Sequence, residues 1–161
     1  MIKRVLDLKT LVALLLSLML PLLAFAFLRR KTKIIKVVLV GYVFVILLVT
    51  LLLRFSDVRV GLNLVPFWSY RIKIWPQIIQ NYLLFVPFGF FVPFENPQKG
   101  FAKTVFWGFL LSVGIEASQF SLQCGFCEID DVIGNTLGTA IGFGLWKAVV
   151  AISYIKKEKS D

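Results

Sequence analysis

Residues 76–94 read PQIIQNYLLFVPFGFFVPF, an apolar run that carries no charged residue. A helix needs about 20 mostly apolar residues to cross the hydrocarbon core of a bilayer, and this stretch meets that length. Pro87 and Pro93 lie inside the run. Proline lacks an amide proton and its ring clashes with the preceding turn, so we expect the helix to kink or break there. The stretch therefore predicts a proline-interrupted membrane-spanning helix.

Four further apolar segments flank this stretch, at residues 8–28, 34–53, 101–123 and 131–153. Hydrophobic residues make up 58% of the chain and the mean hydropathy is +0.84. Soluble domains are only about 45–50% apolar. The sequence therefore predicts an all-α fold, a polytopic membrane helix bundle of about five transmembrane helices, without a separate soluble domain.

Charged residues mark the predicted boundaries of the chain's regions. Residues 1–33 are predicted to form an N-terminal transmembrane helix and a cationic cytoplasmic link, residues 34–153 the main membrane domain, and residues 154–161 a cytoplasmic tail. Lys and Arg are more frequent in the segments that are cytoplasmic when the N-terminus is outside. The positive-inside rule therefore favours a multi-pass topology with the N-terminus out and the C-terminus in.

The first segment has an alternative interpretation as a cleaved signal peptide. Lys3 and Arg4 precede the apolar run, and Ala24-Phe25-Ala26 resembles a signal-peptidase site. Cleavage would leave the cations of residues 29–33 just outside the membrane, where cations are disfavoured. We therefore favour a retained helix.

Composition excludes several classes of function. The net charge is +9 and the chain has no histidine, which excludes Ser-His-Asp triads and histidine-ligated haem. The Lys and Arg residues cluster at the ends of apolar runs, as membrane anchors do, rather than in a basic patch with aromatics. We predict no nucleic-acid partner, no cofactor and no bound metal.

Polar residues form a stripe on each of three apolar segments. Within a segment they recur three or four residues apart, which places them on one helical face. At about 1.5 Å per residue, the three stripes reach the same level near the outer face if these helices are neighbours. The stripes are Gln77 and Asn81, then Ser112, Glu116, Gln119 and Gln123, and finally Asp131, Asn135 and Thr139.

The polar residues allow structural and functional interpretations. Amides such as Asn81 and Asn135 can hydrogen-bond across helices and simply hold the bundle together. A carboxyl at membrane depth, as at Glu116, more often marks a functional cavity or stays protonated. Either Asp130 or Asp131 can cap the fifth helix. These alternatives stay open on sequence alone.

Small residues recur on the fifth segment as Gly134, Gly138 and Gly142. Glycines four residues apart lie on one helical face and let two helices approach closely. We interpret the three glycines as packing residues.

The polar and proline motifs together resemble the VanZ-like family of membrane proteins. They occur in the family's order over residues 34–153, and residues 1–33 look like an addition to a four-helix family core. One position departs from the pattern, because members often carry an arginine where this chain has Gly125. The motifs are Asn63-Leu-Val-Pro-Phe67, Asn81-Tyr-Leu-Leu-Phe-Val-Pro-Phe-Gly89, Glu116-Ala-Ser-Gln119, Glu128-Ile-Asp-Asp131 and Asn135-Thr-Leu-Gly138.

The resemblance implies a protein of the bacterial cell membrane that lowers susceptibility to lipoglycopeptides such as teicoplanin. We expect an outward-facing polar cavity that engages an envelope lipid or a peptidoglycan precursor, besides the bilayer itself. Pro66, Pro87 and Gly89 are motif members that we expect to shape the backbone. The candidate site residues are Asn63, Asn81, Glu116, Gln119, Asp130, Asp131 and Asn135.

An intramembrane enzyme is the first alternative function. Glu116, Glu128, Asp130 and Asp131 are hard oxygen ligands that suit Mg²⁺ or Ca²⁺. Such a site could act on a lipid-linked phosphate. No general base is evident in the sequence, and we favour a binding or remodelling protein over an enzyme.

A thiol oxidoreductase is the second alternative. Cys124 and Cys127 form a C-x-x-C motif beside the start of a helix, which favours a thiolate. The pair can equally form a structural disulfide in an oxidising compartment. A scaffold that assembles with other envelope proteins is the third alternative, and the oligomeric state is open.

Overall fold

The computed structural model describes residues 32–52, 61–95, 100–123 and 125–158. Within these ranges the chain is mostly helical, which confirms the all-α prediction in its coarse form. The predicted first helix and the signal-peptide alternative fall outside them. The elements are α1 (Thr32–Leu47), a π-helical turn (Leu48–Leu52), β1 (Gly61–Asn63), α2 (Trp68–Arg71), α3 (Trp75–Glu95), α4 (Phe101–Ser121), β2 (Phe126–Glu128) and α5 (Ile129–Glu158).

Two of the described helices are long and apolar enough to cross a membrane. They are α3, over Trp75–Phe94, and α5, over Ile129–Ser153. The polar face of α4 lowers its hydropathy, and α1 has only 16 residues before the π-helical turn. The helix α5 continues to Glu158, so the predicted tail at 154–161 begins as part of the helix.

Helix α3 runs from Trp75 to Glu95 through Pro87 and Pro93, so of the two predicted outcomes, a kink or a break, the break does not occur. Neighbouring groups can stabilise a membrane helix where proline removes a backbone hydrogen bond. Tyr42 of α1 is buried, and its hydroxyl donates to the carbonyl of Leu84, in the turn before Pro87, at 2.7 Å. The packing of α1 thus adds a hydrogen bond in the turn where Pro87 has no amide to donate.

Glycines let the backbones of α3 and α5 approach each other closely. A Cβ atom at Gly138 would overlap the carbonyl oxygen of Tyr82, and one at Gly142 would overlap that of Val86. From the other side, a Cβ atom at Gly89 would overlap the carbonyl oxygen of Thr139. Side chains cannot be inserted at these positions without moving the two helices apart.

A short two-stranded parallel sheet joins two loops at one end of the bundle. Strands β1 and β2 pair with Asn63 opposite Glu128. These strands are not predictable from the sequence, because three residues are too few to show an alternating pattern. The sheet holds the loop before α2 beside the first residues of α5, where the candidate site residues lie.

Candidate functional site

Asp130 binds the loop that precedes α2 through two backbone amides. Its Oδ1 accepts from the amide of Phe67 at 2.6 Å, and its Oδ2 accepts from that of Ser69 at 2.7 Å. The carboxylate is 6% exposed. Phe67 has the left-handed backbone conformation, with φ 61°, which turns the loop around the carboxylate. Asp130 therefore fixes the shape of the Asn63–Ser69 loop.

Asp131 points to a different partner, α3. Its Oδ1 accepts from Nδ2 of Asn81 at 2.6 Å and from Nε2 of Gln77 at 3.2 Å. Asp131 is 2% exposed. Hydrogen bonds to an ionised acceptor are stronger than neutral ones, so this carboxylate ties the start of α5 to the first turns of α3.

Glu128 and Glu116 extend this arrangement to α4. Nε2 of Gln77 also donates to Oε2 of Glu128 at 2.7 Å. The backbone amide of Glu128 donates to Oε2 of Glu116 at 3.0 Å, and Glu116 is 4% exposed. We call Gln77, Asn81, Glu116, Glu128 and Asp131 the carboxylate–amide network. It links α3, α4, β2 and α5 at the end of the bundle where both candidate spans begin.

Asn135 lies one helical turn below Asp131 and contacts α4. Its Nδ2 lies 2.8 Å from Oγ of Ser112, while its Oδ1 is buried and has no hydrogen-bond partner among the described residues. Oγ of Ser69, beside Asp130, is also buried without a partner in the described part of the chain. Unsatisfied buried polar atoms cost about 1–3 kcal/mol each and call for an explanation.

Gln119 and Asn63, like Asp130 and Asn135, lie outside the carboxylate–amide network. Nε2 of Gln119 donates to the carbonyl of Thr50 at 2.9 Å, in the π-helical turn that ends α1. Asn63 accepts from the amide of Val65 at 3.2 Å and shapes its own loop. These two hydrogen bonds of Gln119 and Asn63 are made with backbone groups, as are those of Asp130 with Phe67 and Ser69.

Two tyrosines join α2 to α3 beside the network. The hydroxyls of Tyr70 and Tyr82 lie 2.8 Å apart. Burial, the hydrogen bond to Tyr82 and the nearby Asp130 carboxylate raise the pKa of Tyr70 to about 12. Tyr70 therefore stays protonated at neutral pH.

The environment of Cys127 does not activate its thiol. Cys127 is a free, half-buried thiol, and Cys124 lies outside the described residues. Burial and the nearby carboxylates of Glu116, Asp131 and Glu128 raise the pKa of the Cys127 thiol. Reactive cysteines usually have a lowered pKa, so this site does not favour the oxidoreductase alternative.

We expect maleimide to label Cys127, in a Cys124→Ser background, with an apparent pKa above that of an ordinary thiol. The pH dependence of the rate measures this pKa independently of steric access. A cysteine introduced by Leu122→Cys in a background without Cys124 and Cys127 provides an exposed reference. Adding Glu128→Gln should shift the Cys127 curve toward lower pH. A Cys127 pKa below that of the reference would restore the redox interpretation.

The adjacent carboxylates Asp130 and Asp131 point to different parts of the structure. Asp130 faces the loop before α2, whereas Asp131 faces α3. In the described ranges, no group of three or more Asp, Glu or Cys side chains is arranged to hold a metal ion. This geometry gives no support to the metal-assisted enzyme alternative.

Gly125 is the position at which the sequence was expected to depart from the pattern of the family it resembles. Its φ is 141°, a region that residues with a Cβ atom rarely adopt. We expect Gly125→Arg to destabilise the protein by about 1–3 kcal/mol in thermal unfolding. Gly100→Arg is the matched control, because Gly100 has φ −63° and open space around it. Equal stability of the two variants would contradict this assignment.

Sequence reasoning overlooked Gln77 and Glu128 as site members. The spacing of both residues points to the site, because Gln77 lies four residues before Asn81 and Glu128 lies three residues before Asp131. Gln77 belongs to the predicted polar stripe of Asn81 and Glu128 to the predicted metal-ligand set, but the predicted candidate site includes neither. Ser69 and its backbone contact with Asp130 left no recognisable signal.

Comparison with known proteins identifies relatives of this chain. The VanZ/LLP1 family model matches residues 37–151. Protein VanZ of Enterococcus faecium is 33% identical over 86 residues, which are 53% of this chain and 52% of that protein. The chain thus spans about half the length of this curated relative. No solved structure matches the chain. Because the family model covers most of the chain, the protein belongs to the VanZ/LLP1 family.

Proposed function

We propose that this protein is a multi-pass protein of the bacterial cell membrane that lowers susceptibility to lipoglycopeptides such as teicoplanin. In this proposal the end of the bundle with the carboxylate–amide network faces the cell exterior. There it contacts an envelope lipid or a peptidoglycan precursor. Membership of the VanZ/LLP1 family supports the resistance role.

Membrane insertion is supported by α3 and α5. Both have the length and apolarity of a membrane span, and hydrogen bonds join their first turns at one level. Apolar side chains such as Leu137, Ile141 and Leu145 are about half exposed on α5. A helix that presents such side chains outward is suited to a lipid environment.

The carboxylate–amide network is the observation that carries the proposal. In this network Glu116 and Asp131 each accept a hydrogen bond, and both lie near the level at which the two candidate spans start. Ionisable residues at membrane depth are costly and usually serve binding or transport. An envelope precursor offers amide and hydroxyl donors, which carboxylates bind well.

Asn135 supplies a second feature that favours a ligand. Its buried Oδ1 has no donor among the described residues, and it lies one helical turn from Asp131. A hydrogen-bond donor of a bound ligand would stabilise this oxygen. Without a ligand, a water in the same place would donate to it, and the ligand would displace that water on binding. We therefore assign Asn135 to the innermost part of the region that contacts the ligand.

Teicoplanin susceptibility tests this function directly. A sensitive Gram-positive host would express the wild-type chain, Glu116→Gln, or Ser118→Ala at equal abundance in the membrane. Glutamine keeps an oxygen that can accept from the Glu128 amide but removes the charge. Ser118 is the matched control, because it lies on α4 and its hydroxyl donates to the Gly114 carbonyl of its own helix.

We expect the wild type and Ser118→Ala to raise the inhibitory concentration of teicoplanin and Glu116→Gln to lose this effect. Resistance that survives Glu116→Gln would remove the network from the function. No shift with the wild-type chain would separate this protein from lipoglycopeptide resistance.

A further inference from the structure

The segment between β1 and α3 presents aromatic and cationic side chains together. Phe67, Trp68 and Trp75 are 56%, 42% and 51% exposed, and Ile72 is also exposed. Arg71 and Lys73 are exposed within the same stretch. We call residues 64–75 the loop surface. Its composition is that of an interfacial element, with aromatic rings and cations side by side.

Two independent attachments hold the loop surface at the end of the bundle. Its last residue, Trp75, is the first residue of the α3 span. Its middle is held by Asp130, the second residue of α5, through the amides of Phe67 and Ser69. If α3 and α5 cross the membrane, as proposed above, the loop surface lies at the boundary between lipid and water.

Phe67, Tyr70 and Trp75 form a chain of ring contacts on the loop surface. Tyr70 contacts Phe67 at a ring-centroid distance of 5.8 Å and Trp75 at 6.1 Å, edge to face in both cases. The hydroxyl of Tyr70 is fixed by Tyr82 of α3. This chain of rings is therefore rigidly attached to the membrane-spanning helix.

Lys73 occupies a position at which glycine would be unstrained. It has φ 58° and follows the end of α2, where the amide of Lys73 bonds the Tyr70 carbonyl and that of Ile74 bonds the Ser69 carbonyl. This is a Schellman motif, in which glycine is the usual residue at this position. Phe67 is likewise left-handed, with φ 61°. Side chains kept at strained positions point to a use for the side chains themselves.

We propose that the loop surface docks on anionic phospholipid of the leaflet at this end of the bundle. Phe67, Trp68 and Trp75 enter the boundary between headgroups and acyl chains. Arg71 and Lys73 bind the lipid phosphates. The proposal rests on the membrane-spanning arrangement proposed above, but it does not require the resistance role.

Tryptophan quenching in lipid vesicles tests this inference on the full chain. One variant would keep Trp68 and replace the other tryptophans with phenylalanine, and a second would keep Trp107, which is exposed on α4. Each would be reconstituted in phosphatidylcholine with brominated phosphatidylcholine or brominated phosphatidylglycerol. We expect bromine to quench both tryptophans, and Trp68 to be quenched preferentially by the brominated phosphatidylglycerol.

The cations are tested on the Trp68 variant by Arg71→Gln with Lys73→Gln, against Lys147→Gln, which alters an exposed lysine of α5. Each cation near a membrane surface contributes about 1 kcal/mol, so we expect the preference for phosphatidylglycerol to fall about fivefold per cation removed. Lys147→Gln should leave it unchanged. An unchanged preference in the double variant would overturn the phosphate contact.

The quenching results distinguish failure of the lipid contact from failure of the membrane-spanning arrangement. Quenching of Trp107 without quenching of Trp68 would overturn the inference and leave the membrane-spanning arrangement intact. Quenching of neither would overturn both. Teicoplanin susceptibility reports separately on the resistance role.

Discussion

Gly142→Leu is expected to prevent α3 and α5 from packing and to leave little folded protein. A Cβ atom at Gly142 would overlap the Val86 carbonyl of α3, so a leucine must push two backbones apart along their shared interface. The loss in unfolding free energy should exceed about 4 kcal/mol, the range of exceptional single substitutions. Thermal unfolding and the monodisperse fraction in detergent measure it.

Gly144→Leu is the matched control for this substitution. Gly144 lies two residues further along α5, is exposed, and has open space where a Cβ atom would be added. Both changes place the same side chain in the same helix, so helix propensity and hydrophobicity cancel in the comparison. Wild-type stability of Gly142→Leu would show that the close approach of α3 and α5 is not required.

Asp130→Asn should release the loop before α2 from α5. The carboxylate accepts two backbone hydrogen bonds, at 2.6 and 2.7 Å, and an asparagine can accept only one while its amide faces the other donor. Hydrogen bonds to charged groups contribute about 1.5–3 kcal/mol each, so we expect a loss of roughly 3 kcal/mol. Hydrogen exchange of the Phe67 and Ser69 amides measures the release directly.

Asp131→Asn is the control for this loop, because Asp131 faces Gln77 and Asn81 instead. It should leave the Phe67 and Ser69 amides protected. If Asp130→Asn leaves both amides as protected as in the wild type, Asp130 does not hold the loop.

The parts of the site that follow helical periodicity could be predicted from the sequence. Asn81 and Asp131 belong to the predicted polar stripes of two segments, and they hydrogen-bond in the structure. The glycine pattern of the fifth segment likewise anticipated the close approach of Gly138 and Gly142 to α3. Residues that recur every three or four positions lie on one face of a helix. That face is the one expected to contact the neighbouring helix.

The remaining parts depend on contacts that leave no repeat. Asp130 and Asp131 are adjacent, yet consecutive helical residues lie about 100° apart, so the pair serves two different partners. Asp130 binds backbone amides, which every residue except proline carries, so no residue type marks the partner. The pairing of β1 with β2 depends on three residues in each strand, too few to show a pattern.

In the proposed function, the Asp131 carboxylate contributes to resistance and does not merely hold two helices together. Exchanging the partners tests it, in the variants Asn81→Asp, Asp131→Asn and the double variant. Asn81→Asp places two carboxylates at this contact, and Asp131→Asn places two amides there. Each single change should therefore weaken the contact. The double variant restores a carboxylate–amide pair with the charge on α3, and contacting residues show couplings of about 0.5–3 kcal/mol.

The decisive measurement is teicoplanin susceptibility alongside thermal stability for these variants at equal abundance. We expect the double variant to regain stability but not resistance, because the charge has moved from α5 to α3. Recovery of resistance together with stability would contradict the proposed role of Asp131 and reduce the network to a structural link between helices.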